Sequence, residues 1–397
     1  MRGRAAWPFW VLVGIRVAFW VGAALTLLWQ PMRSDKGTRD LSLPPFRAYN
    51  GHTDLLFNTF NQWDAGWYLN IVENGYHSDQ AAAFFPLYPL VVRAVAVVTR
   101  SPVVAGVLVS LVAAGIAAVL LARLARPLLG DAGARDSVLY LALYPVAFVF
   151  TAVYPEGLFL ALVLGSFLAG VRGRSLLAAV LGALAVGTRL IGLALLPALV
   201  VLLWRRGDRR GSVARVAPLA LLVVPIVLFA WHLERAIGDW RAFYRAQSAY
   251  WLRDTPLLGP IGGLWQAFSQ GGHGALQVLL HLRRAGVVTH SDEIGSRNAL
   301  HFLLLLAVLA LTWVAWRRFG PALGVYSVAY IAIVLASPVS YFPLVSLPRF
   351  VIGDFPVFLA LASLTQGRPR ARELVLTSFA AVGAVAAVGF ARHAWVA

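Results

Sequence analysis

The stretch SLLAAVLGALAVGTRLIGLALLPALVVLLW, residues 175–204, carries a single charge, Arg189, directly behind Gly187 and Thr188. At 1.5 Å per residue an unbroken helix of this length would run about 45 Å, too long for one ordinary crossing of a bilayer core about 30 Å thick and short for two. Reading it as two short helices broken at Gly187-Thr188-Arg189 fixes the side of every later loop. A single span would put WRRFG (316–320) and QGRPRAR (366–372) opposite the other arginine-rich segments.

The surrounding chain supports that reading. It is 60% hydrophobic and 13% charged with mean hydropathy +0.74, far from the roughly 25% charge of a soluble domain. Apolar stretches near twenty residues point to transmembrane helices, since outer-membrane strands would alternate in pieces of about ten. The predicted class is an all-α polytopic membrane protein, one domain over 1–397, with eleven candidate spans near 7–29, 102–122, 136–153, 157–171, 175–187, 190–204, 216–233, 299–316, 321–337, 350–364 and 374–391. Threaded alternately, MRGR, RLARPLLGDAGAR, VRGR, WRRGDRRGSVAR, WRRFG and QGRPRAR fall on one side. That side carries 17 arginines against four acids, and the other 16 basic against 13 acidic residues. By the positive-inside rule it is cytoplasmic.

Net charge of +17 is therefore a matter of topology, and no nucleic-acid partner is expected. There is no cysteine, which excludes disulfides and thiolate metal sites. No Asn-x-Ser/Thr sequon occurs, favouring a bacterial cytoplasmic membrane over the endoplasmic reticulum membrane of a eukaryote. The first segment is too long for a signal-peptide core and reads as a retained span. The eight histidines show no ligand spacing, so no metal residue is assigned, and no Walker-type or glycine-rich nucleotide loop is present.

Two long non-cytoplasmic loops result, 30–101 and 234–298, and chemistry is expected there. In the first, NTFNQWDAGWYLNIVENGY has helical spacing, with Phe60, Trp63, Trp67 and Ile71 three or four apart and Asn74-Gly75 as a stop. It predicts an aromatic helix on the membrane surface, with Asp64 and Tyr68 on one face. AFFPLYPLVVRAVAVV follows as a second juxtamembrane or re-entrant helix. Two readings of Asp64 stand: a residue that caps or solvates the helix, or a reactive carboxylate inside an aromatic run.

QWDAGWYLNIVENGY followed by AAAFFPLYPL resembles the PIG-V mannosyltransferases, which in eukaryotes add the second mannose in GPI-anchor assembly, and their bacterial relatives. YPEGLFLAL (154–162), TRLIGLALLPAL (188–199), GDWRAFYRAQSAYW (238–251) and LPRFVIGDFPVF (347–358) continue the resemblance in order. It implies the GT-C glycosyltransferase fold, a polyprenyl-phosphate sugar donor, a lipid-linked or glycan acceptor and an active site on the outer face around Asp64. Gly157 stands where relatives often have serine, and Trp240 where a small residue or proline is common.

Transfer from a polyprenyl phosphate needs one base, because phosphate already leaves well; glycoside hydrolysis needs a second, protonated carboxyl for its poor leaving group. Asp64 as base opposite the phosphate would invert the anomeric carbon. Arg189 and Arg349 are the candidate phosphate ligands, with outer-rim snorkelling as the other reading of each. Glu156, behind Pro155, is either ordinary helix-start chemistry or a substrate contact. Trp63, Trp67, Tyr68, Phe85 and Tyr88 complete the candidate substrate contacts. Some GT-C enzymes use a divalent cation, which stays open here. A secondary transporter or lipid flippase is the competing class, but no repeated halves are found and the polar residues gather in outer loops.

Overall fold

The computed structural model describes residues 3–29, 54–57, 59–284, 290–392, 394 and 396. Parts of both long loops, 30–53 and 285–289, lie outside the described residues. The chain is helical throughout: α1 (Gly3–Trp29), α2 (Asp54–Phe57), α3 (Asp64–Asn74), α4 (Leu87–Thr99), α5 (Pro102–Leu143), α6 (Glu156–Val171), α7 (Ser175–Thr188), α8 (Leu195–Leu203) and α9 (Arg209–Val216). There follow α10 (Val224–Ile237), α11 (Ala242–Ala249), α12 (Pro260–Arg284), α13 (His290–Phe319), α14 (Pro321–Leu335), α15 (Leu347–Phe350), α16 (Pro356–Thr365) and α17 (Pro369–Ala391). Among the described residues β-pairing is confined to two isolated bridges.

Every apolar segment of the sequence is largely helical, but the count of eleven full spans is not reached by length. Among the described residues, five stretches are long and apolar enough to cross a bilayer: 6–28, 102–143, 209–237, 291–319 and 369–391. A sixth follows if Leu347–Gly353 and Pro356–Thr365, bent by 86° at their joint, form one span. The remainder are short helices of 10–17 residues, as expected for broken segments around a cavity where irregular backbone is buried in protein.

At 175–204 the chain divides at the expected place. Helix α7 stops at Thr188, Arg189 is extended (φ −154°, ψ 133°), and a 3-10 turn over Leu190–Ala194 leads into α8. The segment 123–135, expected as a loop, is helical on both sides of Gly130, whose non-helical φ 70° and ψ −175° break it, so the rod that begins at Pro102 turns sharply there between the two candidate spans. Ser101 caps that rod through Val104 N–H, and Pro102 occupies its first turn.

Small residues let the rods close. Helix α1 packs along α5 where Phe9 lies over Gly115, and α5 meets α6 at Gly157, where an added Cβ would strike the Ser110 carbonyl and sit 3.1 Å from Ala114 N. Serine at this position would need a wider gap between the helices than the chain provides. Gly157→Ser is expected to cost about 1–3 kcal/mol, the usual penalty for overpacking. Thermal unfolding in detergent checks this, and an unchanged midpoint would show that α5 and α6 part freely.

Candidate active site

Four polar side chains far apart in sequence meet in one cavity of about 830 Å³, and each is delivered by the end of a helix. Asp64 is the first residue of α3 and Glu156 the first of α6, where the helix dipole favours a carboxylate. Arg189 occupies the joint between α7 and α8, and Arg349 lies in the short α15. The sequence reading ran the first helix through Phe60. The structure starts it at Asp64, because Trp63 holds φ 57° and ψ −119°, a strained conformation for a side chain of that size.

The start of α3 is fixed from several directions. Gln62 donates to the Ala391 carbonyl (3.1 Å), Tyr154 O–H donates to the Gln62 carbonyl (3.0 Å), and Phe60 packs at a tilt against Phe148 and Phe390. Its far end is held by Arg93 of α4, whose guanidinium donates to the carbonyls of Val72 (2.7 Å) and Ile71 (3.0 Å). A cation on helix-terminal carbonyls is favourable, which explains an arginine inside an apolar segment. Ala65 to Leu69, Ile71 and Val72 are buried, so α3 is packed within protein instead of lying with one face in lipid.

The charges alternate. Arg349 Nη1 donates to Asp64 Oδ2, and Arg349 Nε lies 3.4 Å from Glu156 Oε1, which also accepts from Arg189 Nη1. All four side chains are largely buried, so each charge depends on its neighbours in a setting where an uncompensated one is costly. Two acceptors remain open. Among the described residues no hydrogen bond reaches Asp64 Oδ1, and the buried Glu156 Oε2 has no partner. Glu156 thus engages its side chain with arginines and does not cap its helix.

Trp63, Tyr68 and Phe85 line the cavity with these four. The Tyr68 hydroxyl lies in the field of Asp64, Glu156, Arg189 and Arg349, and burial pushes its phenol well above the ordinary range, keeping it protonated as a donor. Trp67 and Tyr88, expected at the substrate, are placed behind it. Trp67 packs against Phe84 and Trp251, and the fully buried Tyr88 bonds to Ser110 Oγ (2.8 Å). Helix α3 turns Trp67 away from the cavity, and Tyr88, on α4, faces α5.

Sequence reasoning missed Arg253, which also lines the cavity. Its only signal was an arginine following the aromatic run ending at Trp251, in a loop where charged residues are ordinary.

A divalent cation would need several oxygen ligands. Among the described residues no group of three His, Asp or Glu converges, and the two central carboxylates each hold a guanidinium. This donor set does not fit a metal ion.

No curated protein and no solved structure matches the chain. Residues 15–206, which carry Asp64, Glu156 and Arg189, match the family model described as Mannosyltransferase (PIG-V). Together with its apolar helices, that match, over just under half of the chain, likens it to the integral membrane glycosyltransferases of the PIG-V mannosyltransferase family.

Proposed function

We propose that the protein transfers a hexose, most simply mannose, from a polyprenyl-phosphate donor to a hydroxyl of a lipid-linked or glycan acceptor, with inversion, on the non-cytoplasmic face of a GT-C fold. The observation that carries this reading is Asp64, the more accessible of the two inner carboxylates (side chain 20% exposed against 3% for Glu156), set in a row of alternating charges inside a large cavity.

Asp64 Oδ1 takes the acceptor hydroxyl proton as the oxygen forms its bond to the anomeric carbon. The bond from that carbon to the phosphate oxygen breaks, and its electron pair leaves with the polyprenyl phosphate, whose charge changes from −1 to −2. Protonation of Asp64 removes the counter-charge of Arg349 at the moment the phosphate gains one. Arg349 can then exchange a carboxylate for the departing phosphate with little change in total charge, while Glu156 keeps Arg189 in place. Stabilisation that appears only as the bond breaks acts on turnover. Arg349→Lys, which keeps charge but loses the planar fork, is therefore expected to lower turnover about tenfold at nearly constant donor affinity.

Release of labelled sugar onto acceptor from a short-chain polyprenyl-phosphate mannose by purified protein tests the reading. Uptake of free sugar into proteoliposomes without such transfer would replace it with a transporter. The sidedness rests on the arginine asymmetry. A reporter inserted at the Gly207 turn should read cytoplasmic and one at the Gly259 turn external, and signals from one side would overturn the threading.

A further inference from the structure

Three guanidinium groups surround one ring: the central carbons of Arg189, Arg253 and Arg349 lie 4.9, 5.8 and 5.9 Å from the centroid of Phe350. Two of the three are neutralised, Arg189 by Glu156 and Arg349 by Asp64. Arg253 has no carboxylate within ion-pair distance among the described residues; its side chain donates only to the Ser337 carbonyl, at 3.0 Å. The adjacent Asp254 is exposed and accepts from the Ser340 hydroxyl, so it does not supply the missing charge.

The backbone holds Arg253 rigidly in this position. Arg253 pairs with Val339 in an isolated bridge, Arg253 N–H donates to the Gln247 carbonyl and Asp254 N–H to the Pro338 carbonyl, both at 2.9 Å. The residue before it, Leu252, is held at φ 53°. Among the described residues only four non-glycine positions have positive φ, and Trp63, Leu252 and Ser346 each stand one to three residues before Asp64, Arg253 and Arg349. Strain of about 1–3 kcal/mol per position persists where surrounding structure enforces it, commonly at sites that must be pre-organised. Burial and the nearby Arg349 and Arg189 push the Arg253 guanidinium down to about 10, so it remains cationic at neutral pH.

We propose that Arg253 is the ground-state anchor for the phosphate of the isoprenoid donor: the cation of the cavity left, among the described residues, without a carboxylate awaits a ligand that brings its own negative charge. This rests on the donor class given above. It divides the work between two arginines. Arg253 holds the phosphodiester before reaction, whereas Arg349 becomes free for phosphate only once Asp64 is protonated.

The test is binding of a short-chain polyprenyl phosphate against the matching polyprenol, measured on the full chain in phosphatidylcholine nanodiscs, with phosphatidylglycerol as a competing anionic headgroup. Wild type is expected to prefer the phosphate by at least about tenfold, as a bidentate arginine contact would give. Arg253→Gln should lose most of that preference while keeping its thermal midpoint, and Arg253→Lys should retain part of it. In assays of transfer, Arg253→Gln should raise the donor KM with a smaller change in kcat. A phosphate preference in wild type that survives in Arg253→Gln overturns the assignment alone. No preference in wild type overturns the donor class as well. Equal displacement by phosphatidylglycerol would make Arg253 a general lipid-headgroup contact and also overturn it. If Arg253→Gln unfolds, Arg253→Lys carries the test, and full wild-type affinity and KM in that variant would refute the need for arginine geometry.

Discussion

Asp64→Asn is expected to reduce turnover by about a hundredfold or more, the usual contribution of a general base. Asparagine has the same shape and can still accept a hydrogen bond from Arg349, but it cannot take the acceptor proton. Arg349 would keep Glu156, 3.4 Å away, as a counter-charge, so purified protein should remain folded and retain donor affinity. Near-normal turnover in a folded Asp64→Asn preparation would remove Asp64 from the chemistry.

Glu156→Gln should do the opposite, affecting folding most. One carboxylate oxygen serves both Arg189 and Arg349, and Glu156 is 2% exposed. Removing one partner of a buried pair typically costs about 3–5 kcal/mol, because the charge left behind is uncompensated. A second change, Arg189→Gln, should recover part of that loss. The exposed pair of Arg126 and Asp131, joined at 2.7 Å, is the control. Asp131→Asn should cost less than about 1 kcal/mol. Equal losses for Glu156→Gln and Asp131→Asn in denaturation midpoints would show that water reaches the inner charges.

The four inner charges were legible in the sequence because an acid or arginine embedded among apolar residues is conspicuous whatever the fold. Their pairing was not. Asp64 and Arg349 are separated by 285 residues and Glu156 and Arg189 by 33, and no periodicity connects positions so placed. The break at Arg189 could be read because a thirty-residue apolar stretch conflicts with bilayer thickness. The phase of α3 could not, since it depends on the positive φ of Trp63, which aromatic spacing conceals. Trp67 accordingly packs on Phe84 and Trp251 outside the cavity lining, and Tyr88, on α4, is held by Ser110 of α5. Arg253 escaped notice for the converse reason: a charged residue in a polar loop attracts no attention until a backbone bridge to Val339 draws it inward.

The long separation between Asp64 and Arg349 also sets a timetable. Glu156 and Arg189 can join while the chain is still being made, but Arg349 follows Asp64 by 285 residues, roughly 15–60 s of synthesis at about 5–20 residues per second. Until then Asp64, the proposed base, lacks the guanidinium that sets its orientation. Activity is thus a late event in biogenesis, and a chain released before residue 349 would be inserted, largely helical and inert.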